Sequence, residues 1–201
     1  MHLYGLFVLY KEPSTGKPTV LKSATDLSSF SFLYRKHVGE FMSFTSRLLA
    51  ERTETPSRNC TTEKEYKLMC FVRPDSLAAV CVTDQEYENR VGFVCLSKVL
   101  DEFSNAVPAA KWPQIHKEDE CNFSKLNELL TKWQNPREAD ALTRVQDEVE
   151  ETKVVLHNTM ASVLERGEKL DDLIQASENL SAQSKQFYTQ ARKMNKCCNY
   201  V

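Results

Sequence analysis

A repeat of period 3.5 toward the C-terminus sets the terms on which this chain can fold. Stepping alternately by three and four meets Leu142, Val145, Val149, Thr152, Leu156, Thr159, Val163, Arg166, Leu170, Leu173, Ser177, Leu180, Ser184, Phe187, Ala191 and Met194. Eleven of these sixteen positions are apolar and four carry small hydroxyls, and a stripe kept over that many heptads predicts a coiled-coil helix. At 1.5 Å per residue it could reach roughly 80 Å. Val155, Met160, Leu164 and Ile174 add apolar surface outside the stripe, more than a two-stranded seam needs, so the segment is expected to contact several surfaces.

One layer of the stripe is charged. A guanidinium at Arg166 costs several kcal/mol to bury unless a partner supplies oxygen acceptors. In a parallel homodimer two such arginines would face each other and repel, so the pattern favours a heteromeric bundle whose other helices donate amide or carboxylate groups at that layer. A homodimeric coiled coil is the plainer reading of the stripe, and Arg166 could also snorkel from its edge.

Upstream, the composition changes. Almost all Pro, Gly and aromatic residues lie in the first 133 of 201 residues, whereas Arg137–Asn195 holds one Gly and no Pro. This divides the chain into a domain at 1–133, a linker at 134–141 containing Pro136, a heptad segment at 142–195 and a tail at 196–201. Within the domain, Leu3–Tyr10 and Thr19–Ser23 read as a hairpin of inner strands interrupted by Pro13 and Gly16. Val38, Phe41, Met42, Thr45, Leu48 and Leu49 recur at helical spacing, with Glu40, Ser46 and Arg47 assigned to the opposite face. Glu65–Arg73 and Ser76–Thr83 read as strands, the second central because it is nearly continuous in apolar residues. Helices follow around Val91–Phe103 and Glu120–Lys132. The order ββαββαα predicts an α+β domain with an antiparallel sheet flanked by helices.

The net charge of −2 argues against nucleic acid as a partner, because neutralising phosphates needs a basic surplus. The longest apolar runs fall short of a bilayer span, and Met1–Tyr10 alternates like a strand rather than reading as a signal peptide. A cytosolic polypeptide is therefore expected. Seven cysteines, without zinc spacing or an export signal, read as reduced thiols. Cys70, Cys81 and Cys95 are expected in the core. The histidines, His2, His37, His116 and His157, are scattered and read as surface residues. No nucleophile–base pair, metal cluster or phosphate loop is discernible, and no cofactor or metal is expected.

Cys197 and Cys198 are different, being adjacent and nearly terminal. Cys198-Asn-Tyr-Val201 has the position of a prenylation box, with Cys197 beside it as a candidate for palmitoylation. Stable anchoring without a membrane span takes two signals, and the nearby Arg192, Lys193 and Lys196 suit an anionic surface. Asn199, Tyr200 and Val201 depart from the usual box, which leaves the kind of prenyl group open.

Taken with Leu3-Tyr4, Val8-Leu-Tyr10, Ser28-Ser-Phe-Ser-Phe32, Glu40-Phe-Met42, Phe44-Thr-Ser46, Val99-Leu-Asp-Glu-Phe-Ser104, Asn135-Pro-Arg-Glu-Ala-Asp140, Leu156-His-Asn-Thr-Met160 and Leu164-Glu-Arg-Gly-Glu-Lys-Leu-Asp-Asp-Leu173, the chain resembles the YKT-type longin R-SNARE family, prenylated synaptobrevin homologues of vesicle traffic. The resemblance implies a profilin-like longin domain, a five-stranded antiparallel sheet between one helix and two, with the fifth strand at Ser57–Glu63. It implies a SNARE motif whose zero layer is Arg166 and whose partners are three Q-SNARE helices. It also implies lipid attachment at Cys198 (prenyl) and Cys197 (palmitoyl), and residence in the cytoplasm and on Golgi, ER, endosomal and vesicle membranes. The longin domain could assist acyl transfer to Cys197.

Two functions stay in contention. One is a fusion SNARE; the other is a non-fusogenic adaptor or tether, which would gain nothing from a buried Arg166. In either case the apolar stripe needs cover in the monomer. The nearest cover is the protein's own longin domain, which the short linker keeps at high effective concentration. The helix around Val38–Leu49 is the expected platform and Phe44 the expected anchor.

Overall fold

The computed structural model describes residues 1–135 and 153–197, with side chains to Ala191 in the second span. Strands β1 (Leu3–Lys11), β2 (Pro18–Thr25), β3 (Ser57–Glu63), β4 (Tyr66–Val72) and β5 (Leu77–Asp84) pair antiparallel, and β6 (Val154–His157) joins parallel to β3. The strand order β2-β1-β5-β4-β3-β6 puts β5 and β4 at the centre. It also puts β2 at an edge, correcting the expectation that both hairpin strands are inner: β2 keeps one neighbour because β5 takes the other side of β1.

The period of two is visible across the whole sheet. Leu6 and Val8, Met69 and Phe71, and Ala79 and Cys81 face one core; Phe7 and Leu9, Cys70 and Val72, and Val80 and Val82 face the other. On the first face lie α2 (Asn89–Ala106), a 3-10 segment at Ala109–Gln114 and α3 (Lys125–Lys132), which contribute Leu96, Phe103, Trp112 and Leu126. On the second lies α1 (Arg35–Arg52), through Met42, Leu49 and Ala50. Three layers result, a sheet between one helix and two. Gly92 permits the close approach of α2, since a Cβ there would overlap Cε of Met69.

Ser46 is fully buried, contrary to its assignment to the polar face of α1. It is four residues from Met42 and three from Leu49, which places it on the sheet-facing stripe. The third helix begins at Lys125 rather than near Glu120, because Glu118–Glu120 forms a separate 3-10 turn. At the end of the domain, Gln134 accepts a hydrogen bond from the Leu3 backbone at 2.9 Å, and the Tyr87 hydroxyl donates to the Trp133 carbonyl at 3.0 Å.

The heptad segment is not one helix here. After β6 come a 3-10 turn at Met160–Val163, α4 (Leu170–Ala176) and α5 (Ala182–Cys197). Gly167 lies between the turn and α4 with φ +94°, a conformation that excludes a continuous right-handed helix and that only glycine adopts without strain. Val154-Val155 supplies β-branched residues, and the β3 edge offers backbone partners that a lone helix would not.

Candidate functional site

The segment from Lys153 to Ala191 lies against the longin-side layers in three places. First, β6 pairs in register with β3, Arg58 opposite Val154 through Thr61 opposite His157, and the Arg58 N–H donates to the Lys153 carbonyl at 2.9 Å. Next, the 3-10 turn places Val163 in the core between sheet and α1 and buries Met160 completely. Beside it Arg52, at the end of α1, meets Glu165 at 3.1 Å and Glu168 at 2.8 Å. Finally, α5 runs antiparallel to α1: Ser181 bonds Glu40, Ser184 bonds His37 at 2.8 Å, and Phe187 stacks on His37 and Tyr34 with centroids 5.3 and 5.0 Å apart. Phe41 faces Tyr188 at 5.4 Å.

Glu40 is the polar centre of the third contact. Its carboxylate accepts from the Ser181 N–H at 2.9 Å and the Ser181 hydroxyl at 2.8 Å. Burial alone would raise its pKa, but hydrogen bonds from Ser181 and Ser184, helped by Lys36, outweigh burial and hold it below the ordinary carboxylate range. Of the four histidines read as surface residues only His116 is exposed; His2 and His157 are half-buried, and so is His37, which α5 covers and whose Nδ1 pairs with Ser184.

The heptad residues are divided by this arrangement. Val163, Leu180 and Ser184 are buried, whereas Leu170, Leu173, Ser177, Phe187 and Ala191 are half-buried. Leu156, Thr159 and Arg166 are exposed. Leu142, Val145, Val149 and Thr152 lie outside the described residues, as does Cys198; Met194 and Cys197 belong to α5. Among the surplus apolar residues, Met160 and Ile174 are fully buried, and Val155 and Leu164 are half-buried. Phe44 is half-buried on α1, one turn beyond Phe41. The ring contacts to α5 come from Tyr34, His37 and Phe41, at the N-terminus of α1 and within its first two turns. Sequence reasoning missed Glu40, His37 and Arg52. For Glu40 and His37 the signal was their place at helical spacing beside Tyr34 and Phe41, flanking the stripe of Met42 and Leu49 rather than standing apart from aromatic residues.

Cys70, Cys81 and Cys95 are fully buried. Burial pushes the Cys70 thiol up to about 12 and raises those of Cys81 and Cys95 well above the ordinary thiol range, so none supplies a thiolate nucleophile at neutral pH. Among the described residues, no helix is long and apolar enough to cross a membrane.

A three-layer longin sheet followed by a SNARE-type heptad segment defines a longin-domain SNARE. The Longin model, a regulated-SNARE-like domain, matches residues 27–130, and the Synaptobrevin model matches residues 141–199. The chain is 46% identical to the synaptobrevin homologue ykt6 of Schizosaccharomyces pombe over 98% of both chains. It is 43% identical to YKT6 of Eremothecium gossypii, again over 98% of both. Against YKT6 of Saccharomyces cerevisiae it is 41% identical, over 90% of this chain and 92% of the other. The chain belongs to the Ykt6 family of longin-domain synaptobrevin homologues. It is accordingly a SNARE-type protein of vesicle traffic and not an enzyme.

Proposed function

We propose that this chain is a lipid-anchored R-SNARE that docks and fuses transport vesicles, and that its longin domain holds the SNARE segment closed until a membrane and partners compete for it. One observation carries this reading: the longin-side layers bury heptad residues that a four-helix bundle would need, with Val163, Leu180 and Ser184 at 8%, 4% and 0% exposure. The same side chains cannot line two cores, so closure and bundle assembly exclude each other. Arg166 is exposed in the closed form, which supports its use elsewhere, as the zero-layer cation meeting three Q-SNARE glutamines.

On release, residues 142–195 zip with three Q-SNARE helices from the N-terminal layers onward, burying their apolar faces. The lipids on Cys197 and Cys198 then transmit the pull to the bilayer, each buried methylene adding about 0.8 kcal/mol of grip. The sites of action are the cytosolic faces of Golgi, ER, endosomal and vesicle membranes. In this reading 1–133 is the regulatory domain, 134–141 the linker and 196–201 the anchor.

The test is a rescue experiment with the full chain. Arg166→Gln should weaken four-helix assembly, and a Gln→Arg change in one Q-SNARE partner should restore it, with closed-state hydrogen exchange unaffected throughout. An assembly indifferent to both changes would mean that Arg166 snorkels, and would favour an adaptor or tether.

A further inference from the structure

Phe32 and Leu33 are the most exposed large apolar side chains among the described residues, at 81% and 75%. They are not at the tip of a loose loop. Asp26 Oδ1 accepts from the Ser28 N–H at 3.0 Å and the Ser28 hydroxyl at 2.6 Å. Arg35 donates from Nε to the Phe30 carbonyl at 3.0 Å and from Nη2 to the Ser28 carbonyl at 3.2 Å. The Tyr34 N–H closes the turn on the Ser31 carbonyl at 2.9 Å. Phe30 turns inward against Tyr4 and Tyr66, with centroids 5.6 and 6.3 Å away. The turn thus sends one ring into the fold and fixes the next two apolar side chains outward, where they cannot hide by local collapse.

The surroundings indicate what meets them. Tyr34 is an amphipathic ring at the base of the tip, and Lys36 is exposed on the first turn of α1. The neighbouring carboxylates are already engaged, Asp26 by Ser28 and Glu40 by Ser181. Apolar residues at the tip with an aromatic and a cation behind them have the chemistry of an anionic membrane interface. Position adds a second argument. Because α5 passes Glu40, His37 and Tyr34 in turn, its course from Phe187 to Cys197, about 15 Å of helix, runs past the start of α1 toward the pole that carries the tip. The sequence places Arg192, Lys193 and Lys196 on that stretch. A second copy of the chain is a poorer occupant, since two side chains fall well short of the roughly 800 Å² per partner that a stable interface buries.

We infer that the Phe32–Leu33 tip is a membrane-insertion wedge, through which the closed protein makes first contact with an anionic bilayer before its lipids are released. The inference builds on the membrane role proposed above, but its test uses the unlipidated full chain, so failure here leaves lipid anchoring standing.

A Phe32→Trp variant is mixed with vesicles of phosphatidylcholine, with and without phosphatidylserine, carrying brominated acyl chains. Trp112 and Trp133 are 3% and 1% exposed, so quenching reports on the tip. The introduced indole should be quenched, with its emission shifted to the blue. Phe32→Ser with Leu33→Ser should lower partition onto phosphatidylserine vesicles by roughly 150-fold, given the transfer free energy of two large apolar side chains at the low end of its range. Lys36→Glu should weaken binding only where phosphatidylserine is present. An indole that stays unquenched at the tip, or a serine double variant that partitions like the parent, overturns the inference. So does concentration-dependent self-association that the double variant abolishes while vesicles stay unbound, which would assign the tip to a second copy.

Discussion

Replacing both Met160 and Ile174 by alanine should open the molecule without harming the bundle it joins. Each side chain is 1% exposed in the closed form, and each lies beside the heptad stripe rather than in it. Truncating a buried Met or Ile costs about 2–5 kcal/mol in a rigid core. A docked segment can relax around the gap, so about 2 kcal/mol each is the appropriate end of that range. The two residues sit on separate pieces, the 3-10 turn and α4, so their effects should add to about 4 kcal/mol. At about 1.4 kcal/mol per decade this is nearly a thousandfold shift toward the open form. In an extended helix alanine is at least as favourable as Met or Ile, so the bundle loses nothing by propensity. Hydrogen exchange should show the amides of Val154–His157 losing protection while those of β1, β4 and β5 keep it. Assembly with Q-SNARE helices should accelerate in proportion to the open fraction until opening is no longer limiting. If exchange in Val154–His157 stays at the parental level while the double variant folds normally, these contacts do not hold the segment and the reasoning fails.

Glu40 predicts a pH dependence. Its pKa is lowered in the closed form, so its contribution is fully present above the ordinary carboxylate range and is lost as pH falls through the depressed value. Energy transfer between labels on the longin domain and α5 should report opening on acidification, and Glu40→Gln should flatten that profile. Cys198→Ser should leave the protein folded but shift it from the membrane to the soluble fraction of eukaryotic cells; pelleting as before would refute the prenyl assignment. Gly92→Val should drive a branched side chain into buried Met69 and destabilise the longin domain by about 1–3 kcal/mol, visible as a lower Tm.

Elements that bury apolar residues at a regular period were legible in the sequence, and those that do not were hidden. β5 could be placed at the centre because Leu77–Val82 has no polar residue to put on a wet face. β3 could not be read from Ser57-Arg-Asn-Cys-Thr-Thr-Glu63, where polar Ser57, Arg58, Asn59 and Thr61 are all buried; the family resemblance alone supplied it. There is a physical cause for that burial. Strand β6 covers the edge and pairs with its backbone, and Arg58 lies over the rings of Phe71 and Phe93 at 4.7 and 5.7 Å, so this burial comes from edge pairing and cation–π contact rather than from hydrophobicity. The heptads in turn concealed a second structure for the same residues. Val154-Val155-Leu156 satisfies a helical stripe and a strand equally well, and Gly167 fits a left-handed bend as easily as a helix interior. The clue to that second structure was the apolar excess at Met160 and Ile174, more than a two-stranded seam needs.

The pairing of β6 with β3 has a consequence beyond competition for heptad residues. Once β6 leaves, the backbone groups of Arg58–Thr61 that faced it become an unprotected sheet border, the kind of surface along which unrelated chains add strands and aggregate. An opened molecule would therefore carry two adhesive surfaces, the heptad stripe that the proposed bundle would cover and a strand border that it would not. On the proposed reading, keeping β6 paired until assembly begins would shield this border from misassociation, and a variant held permanently open should precipitate more readily than the parent.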